Sequence, residues 1–456
     1  MNDGQDGDVK RPVRKPLRRG IARLGRAGPR PETSGGAQWK GPTKMHTVSP
    51  ASKGFDPARL ERINAWMDRY VEDRRFAGSS VLIARGGEEV WFNAAGLRSV
   101  ENDLPFERDT VARIYSMTKP ITSAAIMMLV ELGLFHLDAP VSDFIPAFRD
   151  MRALVPGATR IDQTEPARVP TLHQLMTHTS GMTYAFNPGL AAKEMEQHRI
   201  DFHGLTPLAE MADRAAALPL AFQPGSRWEY SVGIDILGRV VEVVSGLSLG
   251  EFLKTHIFEP LEMTETSFIV RPDQVDRFAS LYTPLSGSPI ALNEKKSGGD
   301  TLRLADEAGS SAFEKPACES GGGGLVGTID DYMKFVEMLR RGGTAGDTRL
   351  IGPKTLAFMM RNHLPGDIAS MGPKSFAEQP MEGMGFGLGG SVVLDPGRVR
   401  VPGSVGDFSW GGMASTMFWL DRELDMSVVF FTQLSPSSSY PCRAELKALV
   451  HQALTA

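Results

Sequence analysis

Ser116-Met117-Thr118-Lys119 stands at the head of a long apolar run that continues to Val130. The length of this run and the Gly133 behind it predict a helix from Ser116 to Leu134. Pro120 falls in the first turn, where its missing N–H is tolerated. Because Ser116 and Lys119 are three residues apart, their hydroxyl and amine leave one face of the helix within hydrogen-bonding reach.

The chain before this helix predicts a helix packed against a hairpin. Apolar residues recur at helical spacing from Pro57 to Tyr70. Ser79 to Ala84 and Glu89 to Asn93 are typical of paired strands, with Gly86-Gly87 as the turn between them.

The chain after the helix is mostly helical in its middle and returns to strands at its end. Helical segments, including Ile234 to Val244 and Leu249 to Phe258, dominate from about Asp138 to Thr266. The polar, Gly- and Ser-rich stretch from Thr283 to Pro316 predicts a flexible excursion. The remaining predicted elements are the helix Asp330 to Arg340, the strands Phe386 to Val393, Ser415 to Leu420 and Met426 to Gln433, and the helix Cys442 to Ala453. Helix and strands at both ends, with helices between, predict an α/β sheet domain interrupted by a helical insertion.

Charge separates the first residues from the rest. The chain has a formal net charge of -4, which offers no global field for nucleic acid or an acidic ligand. Residues 1–30 hold nine Lys or Arg and three Asp, a net of +6, so the remainder carries -4 - 6 = -10. Residues 1–45 are therefore predicted to be a disordered basic leader. A nucleic-acid or membrane-surface arm is the alternative, as is a start codon placed too early, with Met45 as the true start.

The chain has no apolar stretch of the length that a secretion signal or a membrane span requires. Its two cysteines, Cys318 and Cys442, cannot form a disulfide framework and need not pair. These observations predict a cytoplasmic protein without membrane or nucleic-acid partners, and they leave its oligomeric state open.

The Ser116–Lys119 pair suggests nucleophilic catalysis. A buried lysine has a lowered pKa and can accept the serine proton. A helix cap followed by a solvated lysine is the simpler interpretation, because a chain of this length is expected to contain about one S-x-x-K by chance. It is nevertheless the only S-x-x-K in the sequence.

Two later segments strengthen the catalytic interpretation. In Trp228-Glu229-Tyr230-Ser231-Val232-Gly233 a tyrosine falls on a turn just before a helix. In Trp410-Gly411-Gly412-Met413 a glycine pair allows the backbone at a strand to approach a ligand closely. Taken singly, Tyr230 could be a core aromatic and Gly411-Gly412 a bulge or turn.

Together, the order Ser-x-x-Lys, Tyr-Ser-x-Gly, Trp-Gly-Gly resembles the family VIII carboxylesterases, which are related to class C β-lactamases and penicillin-binding proteins. The resemblance runs from about Gly54 to Leu449 and implies a β-lactamase-like α/β (α+β) fold, an antiparallel sheet flanked by helices. It divides the chain into a sheet domain, residues 46–137 and 305–456, and a mostly helical insertion, residues 138–304, that carries the catalytic tyrosine.

The same resemblance implies a role for each site residue. Ser116 would be the nucleophile, Lys119 its base, and Tyr230 the proton shuttle for the leaving alcohol and the hydrolytic water. The backbone amides of Ser116 and Met413 would form the oxyanion hole. Trp410, with Gly411 and Gly412, would bind the substrate. No metal or cofactor would be needed.

Two departures from the β-lactamase pattern favour an uncharged ester as the small-molecule substrate. Trp410 stands where the β-lactamases have the lysine that helps to bind a carboxylate, and Val232 stands where they have an asparagine. The sequence thus predicts an esterase acting on small to medium esters, with weak β-lactam hydrolysis possible. An acyltransferase of the same fold, a β-lactamase or D-amino peptidase-type hydrolase, and a non-catalytic penicillin-recognising protein remain alternatives.

Three further motifs are given structural interpretations. Gly246-Leu247-Ser248-Leu249-Gly250 matches the G-x-S-x-G of a nucleophile elbow, but a helical pattern precedes it where an elbow needs a strand. Ser248 is therefore predicted to cap the next helix. Gly321–Gly324 lacks the Lys-Ser/Thr of a phosphate loop and predicts a tight turn. His178 is expected to be a structural hydrogen-bonding residue, because the histidines lack zinc-ligand spacing.

Overall fold

The computed structural model describes residues 45–200, 206–284 and 302–455. The predicted basic leader therefore lies outside the described residues, apart from Met45. Half of the predicted flexible excursion, residues 285–301, lies outside them too.

The strands are short except at the centre of the main sheet. In chain order they are β1 Gly78–Arg85, β2 Glu88–Ser99, β3 Leu104–Pro105, β4 Ala112–Arg113, β5 Arg152–Leu154, β6 Thr164–Pro166, β7 Leu281–Thr283, β8 Arg303–Asp306, β9 Val326–Gly327, β10 Thr344–Ala345, β11 Thr348–Arg349, β12 Ser375–Phe376, β13 Gln379–Pro380, β14 Met384–Phe386, β15 Ser391–Val393, β16 Phe408–Gly411, β17 Met417–Asp421 and β18 Met426–Thr432.

Eight of these strands form one sheet in the order β14-β15-β16-β17-β18-β1-β2-β3. Every neighbouring pair in it is antiparallel, which confirms the predicted sheet. The first and last thirds of the chain meet where β1 pairs with β18, with Val81 opposite Phe430. Most of the sequence therefore lies between two strands, β1 and β18, that are neighbours at the centre of the main sheet.

The α-helices flank this sheet. In chain order they are α1 Pro57–Glu72, α2 Thr118–Glu131, α3 Leu172–Met176, α4 Leu190–Gln197, α5 Leu208–Ala216, α6 Gly233–Ser245, α7 Leu249–Leu253, α8 Ile329–Arg340, α9 Pro353–Met359, α10 Ile368–Met371, α11 Pro396–Val399 and α12 Cys442–His451.

The two faces of the sheet bury different sets of side chains, as the period of two along a strand requires. Val81 and Ile83 of β1 pack with apolar residues of α1 and α12. Leu82 and Ala84 point to the other face and join a larger core that contains α2, α6 and α8. Since α2 is almost entirely buried, it is the central helix of the molecule.

Three predicted elements are wrong in detail. The helix predicted from Ser116 to Leu134 begins instead with a 3-10 turn, Tyr115–Met117. The strand predicted from Phe386 to Val393 is a hairpin of β14 and β15, because Gly389, at φ 94°, is part of a turn closed by a Gly387 N–H to Gly390 O bond. The excursion predicted up to Pro316 ends earlier, since β8 pairs with β7.

The division into a sheet domain and a helical insertion stays a prediction; β8 crosses its boundary at residues 304 and 305. Cys318 and Cys442 are both buried free thiols. Among the described residues, no helix combines the length and the apolar character needed to cross a bilayer. The cytoplasmic location stays a prediction as well.

Candidate active site

Ser116 lies in the 3-10 turn that leads into the buried helix α2. The residue before it, Tyr115, has a φ of 43°, a conformation that non-glycine residues adopt at a cost. Two contacts hold this turn: Met117 N–H donates to Ile114 O at 3.0 Å, and the Tyr332 hydroxyl donates to Met117 O at 2.8 Å. The position of Ser116 is therefore fixed by the backbone on both sides of it.

Lys119 lies one helical turn beyond Ser116 and is fully buried. Its ammonium nitrogen Nζ is 3.3 Å from Ser116 Oγ, and it donates to Gly322 O at 2.6 Å and to Tyr184 Oη at 2.9 Å. Burial lowers the pKa of Lys119 to about 7, although the negative charge of Asp235 opposes this shift. A substantial fraction of Lys119 is therefore neutral near neutral pH and able to accept the Ser116 proton.

Tyr184 and Asp235 complete the surroundings of the lysine, and neither was predicted from the sequence. The Tyr184 hydroxyl donates to Asp235 Oδ2 at 3.2 Å, while Asp235 Oδ1 accepts from Gly322 N–H at 2.9 Å. Tyr184 lies two residues beyond Leu175–Met182, a stretch that the family resemblance includes. Asp235 looks like an ordinary acidic residue in the first turn of α6, so its sequence position carries no signal of this contact.

The glycine run Gly321–Gly324 forms the predicted tight turn, with Gly324 N–H donating to Ser320 O at 2.9 Å. It also brings Gly322 against the lysine network. A Cβ added to Gly322 would lie 2.3 Å from Asp235 Oδ2 and 2.8 Å from Tyr184 Oη. Only glycine fits at this position without displacing these groups.

Tyr230 lies where the sequence predicts it, on the turn just before α6, and is buried. Its ring centroid is 4.5 Å from Lys119 Nζ. Within the described part of the chain, its hydroxyl has no hydrogen-bond partner, and neither does the indole N–H of Trp410. Burial raises the pKa of Tyr230, and the nearby Ser116 hydroxyl and Trp410 indole oppose the rise. These two polar groups are therefore available to a substrate.

His178 is bonded to Ser231, the residue that follows Tyr230, as expected of a structural histidine. Its Nδ1 accepts from Ser231 N–H at 3.3 Å and lies 3.1 Å from Ser231 Oγ. Burial, with the Lys119 charge, holds the pKa of His178 well below its usual value. The imidazole is thus neutral, and it fixes the loop that carries Tyr230.

Trp410 and Gly411 are the last residues of strand β16, and a turn that contains Met413 follows. The structure shows close packing at both glycines, and their predicted close approach to a ligand stays a prediction. A Cβ on Gly411 would lie 2.9 Å from Nε of Arg443, and one on Gly412 would lie 2.4 Å from Ile114 O. Gly412 therefore lets the chain approach the segment that leads into Ser116, and Gly411 leaves room for the Arg443 side chain.

One cavity of the site is lined by Ser116 and Tyr230 and has a volume of about 910 Å³, open solvent included. Trp410, Gly411, Gly412 and Met413 form part of its wall. Most of its further lining is apolar and includes Phe376, Met381, Met384, Val399, Val401 and Phe418. A smaller cavity of about 230 Å³ is also lined by Ser116, Tyr230 and Met413, together with Tyr184 and Phe186. Ser116 thus lines two cavities, which could accept the acyl and alcohol parts of an ester.

Ser248, the rival nucleophile, is a helix cap. Its Oγ accepts from Glu251 N–H at 3.2 Å, and its own N–H donates to Glu251 Oε2 at 3.1 Å. Helix α6, not a strand, precedes it. The geometry of a nucleophile elbow is therefore absent at residues 246–250, as predicted.

An antiparallel sheet between helices, with a serine and a buried lysine at the start of its central helix, defines the class of the penicillin-recognising serine enzymes. The chain belongs to the Beta-lactamase family, whose sequence model matches residues 63–452. The predicted resemblance to family VIII carboxylesterases and their β-lactamase relatives is confirmed.

Relatives in this family include esterases. The chain is 33% identical over 396 residues to esterase EstB from Burkholderia gladioli, covering 85% of this chain and 93% of EstB. It is 32% identical over 357 residues to the lovastatin esterase of Penicillium rubens, covering 74% of this chain and 83% of that enzyme. The structure of EstCE1, described as a hydrolase with promiscuous acyltransferase activity, superposes with a TM-score of 0.71 at 27% identity, covering 88% of this chain and 99% of EstCE1.

Proposed function

We propose that this protein is a serine carboxylesterase that hydrolyses small to medium, uncharged carboxylic esters through an acyl-enzyme on Ser116. The observation that carries this proposal is the placement of Lys119. It is fully buried, its pKa is lowered to about 7, and its Nζ is 3.3 Å from a serine that lines an apolar cavity. A structural lysine at a helix cap would not need this environment.

In acylation, Ser116 Oγ attacks the ester carbonyl carbon while its proton passes to neutral Lys119. The carbonyl oxygen becomes an oxyanion, to which the Ser116 and Met413 amides donate. Among the described residues the Met413 N–H has no other acceptor, which supports this assignment. The tetrahedral intermediate then expels the alkoxide, which takes a proton from the Tyr230 hydroxyl. The proton returns to Tyr230 from Lys119 through the same cluster.

Deacylation repeats these steps with water as the nucleophile. Tyr230 accepts a proton from water and passes its own to neutral Lys119 as the water oxygen attacks the acyl carbon. Collapse of the second intermediate releases the carboxylic acid and returns the proton to Ser116. Tyr184 and Asp235 keep Lys119 in place throughout, because the Tyr184 hydroxyl bridges the ammonium and the Asp235 carboxylate.

The preference for an uncharged ester follows from the cavity wall. Trp410 presents an indole where a β-lactamase presents a cation, and its ring lies 5.6 Å from the Tyr230 ring, centroid to centroid. This surface packs against apolar parts of an ester and makes no ion pair with a carboxylate. EstB and the lovastatin esterase, two relatives named as esterases, support the ester as the substrate class.

The proposal is tested by trapping the acyl-enzyme. The wild-type protein should hydrolyse p-nitrophenyl butyrate and should gain the mass of one fluorophosphonate adduct on the peptide that contains Ser116. Ser116→Ala should do neither. Hydrolysis without labelling of that peptide, or labelling elsewhere, would disprove the assignment.

Acyl transfer is the second candidate, because EstCE1 is described as having promiscuous acyltransferase activity. It differs from hydrolysis only in the group that attacks the acyl-enzyme, an alcohol in place of water. Adding a primary alcohol during turnover should therefore divert part of the butyryl group into a new ester, measured by chromatography. If the ester dominates at millimolar alcohol, the protein is better described as an acyltransferase.

A further inference from the structure

The hairpin of β12 and β13 has a turn that its residues do not favour. Ala377 and Glu378 connect the two strands and have φ values of 46° and 62°. Two-residue turns with positive φ at both positions are normally built from glycine, asparagine or aspartate. A backbone conformation of this kind is retained where surrounding contacts hold it in place.

The contact that holds this turn is a buried ion pair between the hairpin and helix α12. Arg443 Nη1 donates to both carboxylate oxygens of Glu378 at 2.7 Å. The two side chains are only 8% and 11% exposed. Arg443 also donates to Gly412 O at 3.3 Å and to Ser437 O at 3.2 Å. The guanidinium is therefore fixed against the strand that carries Trp410.

Arg443 lines the same cavity as Ser116, and so do the two neighbours of Glu378, Ala377 and Gln379. Its contact with Gly412 places the guanidinium beside the residue that precedes Met413. A guanidinium beside an apolar cavity is a strong carboxylate-binding group, since it offers paired donors and a charge that it does not lose. Here a carboxylate of the protein itself already holds that group.

We propose that Glu378 is a specificity-determining residue: it occupies Arg443 as an internal carboxylate and thereby excludes carboxylated esters from the cavity. A substrate carboxylate that takes the Nη1 donors of Arg443 must displace Glu378 from them, which would leave that buried acid unpaired. Burial already raises the pKa of Glu378 to about 7, although Arg443 opposes the shift. An uncharged ester requires no such exchange. This inference rests on the esterase function proposed above.

The test compares two esters that differ in one terminal group, p-nitrophenyl pentanoate and the mono-p-nitrophenyl ester of glutaric acid. The measured quantity is the ratio of kcat/KM for the anionic ester to that for the neutral ester, at about pH 8. Glu378→Gln frees Arg443 and should raise this ratio about tenfold or more, the value of a charge-assisted hydrogen bond. The double variant Glu378→Gln/Arg443→Met should return the ratio to the wild-type value.

Glu445→Gln is the matched control, because it also removes one negative charge. Glu445 lies on helix α12 close to Arg443 in sequence but accepts from Trp66 and Tyr70 instead of Arg443. Glu445→Gln should leave the ratio unchanged, whereas an equal rise there would point to net charge and overturn the proposal. If Glu378→Gln proves too unstable to purify, Glu378→Asp keeps the charge and loosens the pair, and it should raise the ratio by a smaller factor. An unchanged ratio in a folded variant that still cleaves the neutral ester would overturn the inference alone. Loss of neutral-ester hydrolysis in the wild type would overturn the proposed function.

Discussion

Lys119 and the two cations of helix α12 that line the active-site cavity, Arg443 and Lys447, have opposite surroundings. Arg443 is bonded to Glu378, and Lys447 forms an ion pair with Asp407, which is fully buried. Among the described residues, no carboxylate forms an ion pair with Lys119; Asp235 reaches it only through the Tyr184 hydroxyl. A direct carboxylate keeps a buried cation charged, and its replacement by a hydroxyl and a carbonyl leaves a lysine that can lose its proton. The protein thus separates a basic group from fixed charges by one bridging hydroxyl.

The largest difference between the two regions should appear at the nucleophile. Ser116→Ala should lower kcat by about 10⁴-fold or more, since the acyl-enzyme can no longer form. Ser248→Ala, at the cap of α7, should stay within about tenfold of wild type and lose about 1 kcal/mol of stability. Both are measured with p-nitrophenyl butyrate and by thermal unfolding. An active Ser116→Ala variant would show that Ser116 is not the nucleophile.

Arginine substitutions compare the two lysines directly. Arginine keeps its charge at all working pH values, so Lys119→Arg removes the base and should lower kcat by about 10²- to 10⁴-fold. Lys447→Arg preserves the ion pair with Asp407 and should change kcat by less than about tenfold. Steady-state kinetics on the two purified variants decides the matter. A loss of less than about tenfold in Lys119→Arg as well would mean that Lys119 acts through its charge and not as a base.

The ion pairs of Arg443 and Lys447, which line the active-site cavity, also bear on substrate choice. A carboxylated lactam would find Arg443 and Lys447 already paired and would meet Trp410 in place of a free cation. Loss of one charge-assisted hydrogen bond costs roughly 1.5–3 kcal/mol, or about one to two decades in kcat/KM. With its activated phenol leaving group, p-nitrophenyl butyrate should therefore exceed nitrocefin by about 100-fold or more. Similar kcat/KM values for the two substrates would show that Arg443 or Lys447 is free to bind the lactam carboxylate.

Periodic and local patterns made much of this fold predictable. Helix α1, the hairpin of β1 and β2, and helix α8 follow from apolar spacing and turn glycines, and the Ser248 cap follows from the helical pattern before it. Ser116 and Lys119 are brought together by their spacing at a helix start, and Tyr230 lies beside Lys119 as the family resemblance implies. Their chemical roles stay predictions.

The contacts between distant elements could not be predicted. Tyr184, Asp235 and Gly322 meet around Lys119 from three separate parts of the chain, and none has a spacing relation to Ser116. The pairing of Glu378 with Arg443 spans 65 residues. A single sequence contains no signal for such pairs, since tertiary packing alone decides which polar groups share a buried space.

The smallest expected effect, on the pH profile, tests the state of Lys119 itself. Only the neutral amine accepts the Ser116 proton, so kcat/KM, which reports the free enzyme, should rise with pH and level off above the Lys119 pKa of about 7. One pH unit below that value about a tenth of the lysine is neutral, so kcat/KM should be about tenfold below its plateau. Asp235 raises the Lys119 pKa, and Asp235→Asn should therefore move the rise to lower pH. The Lys447→Arg variant should keep the wild-type profile. A profile that is flat between about pH 5.5 and 8.5, or a rise that Asp235→Asn moves upward, would mean that a different group accepts the proton.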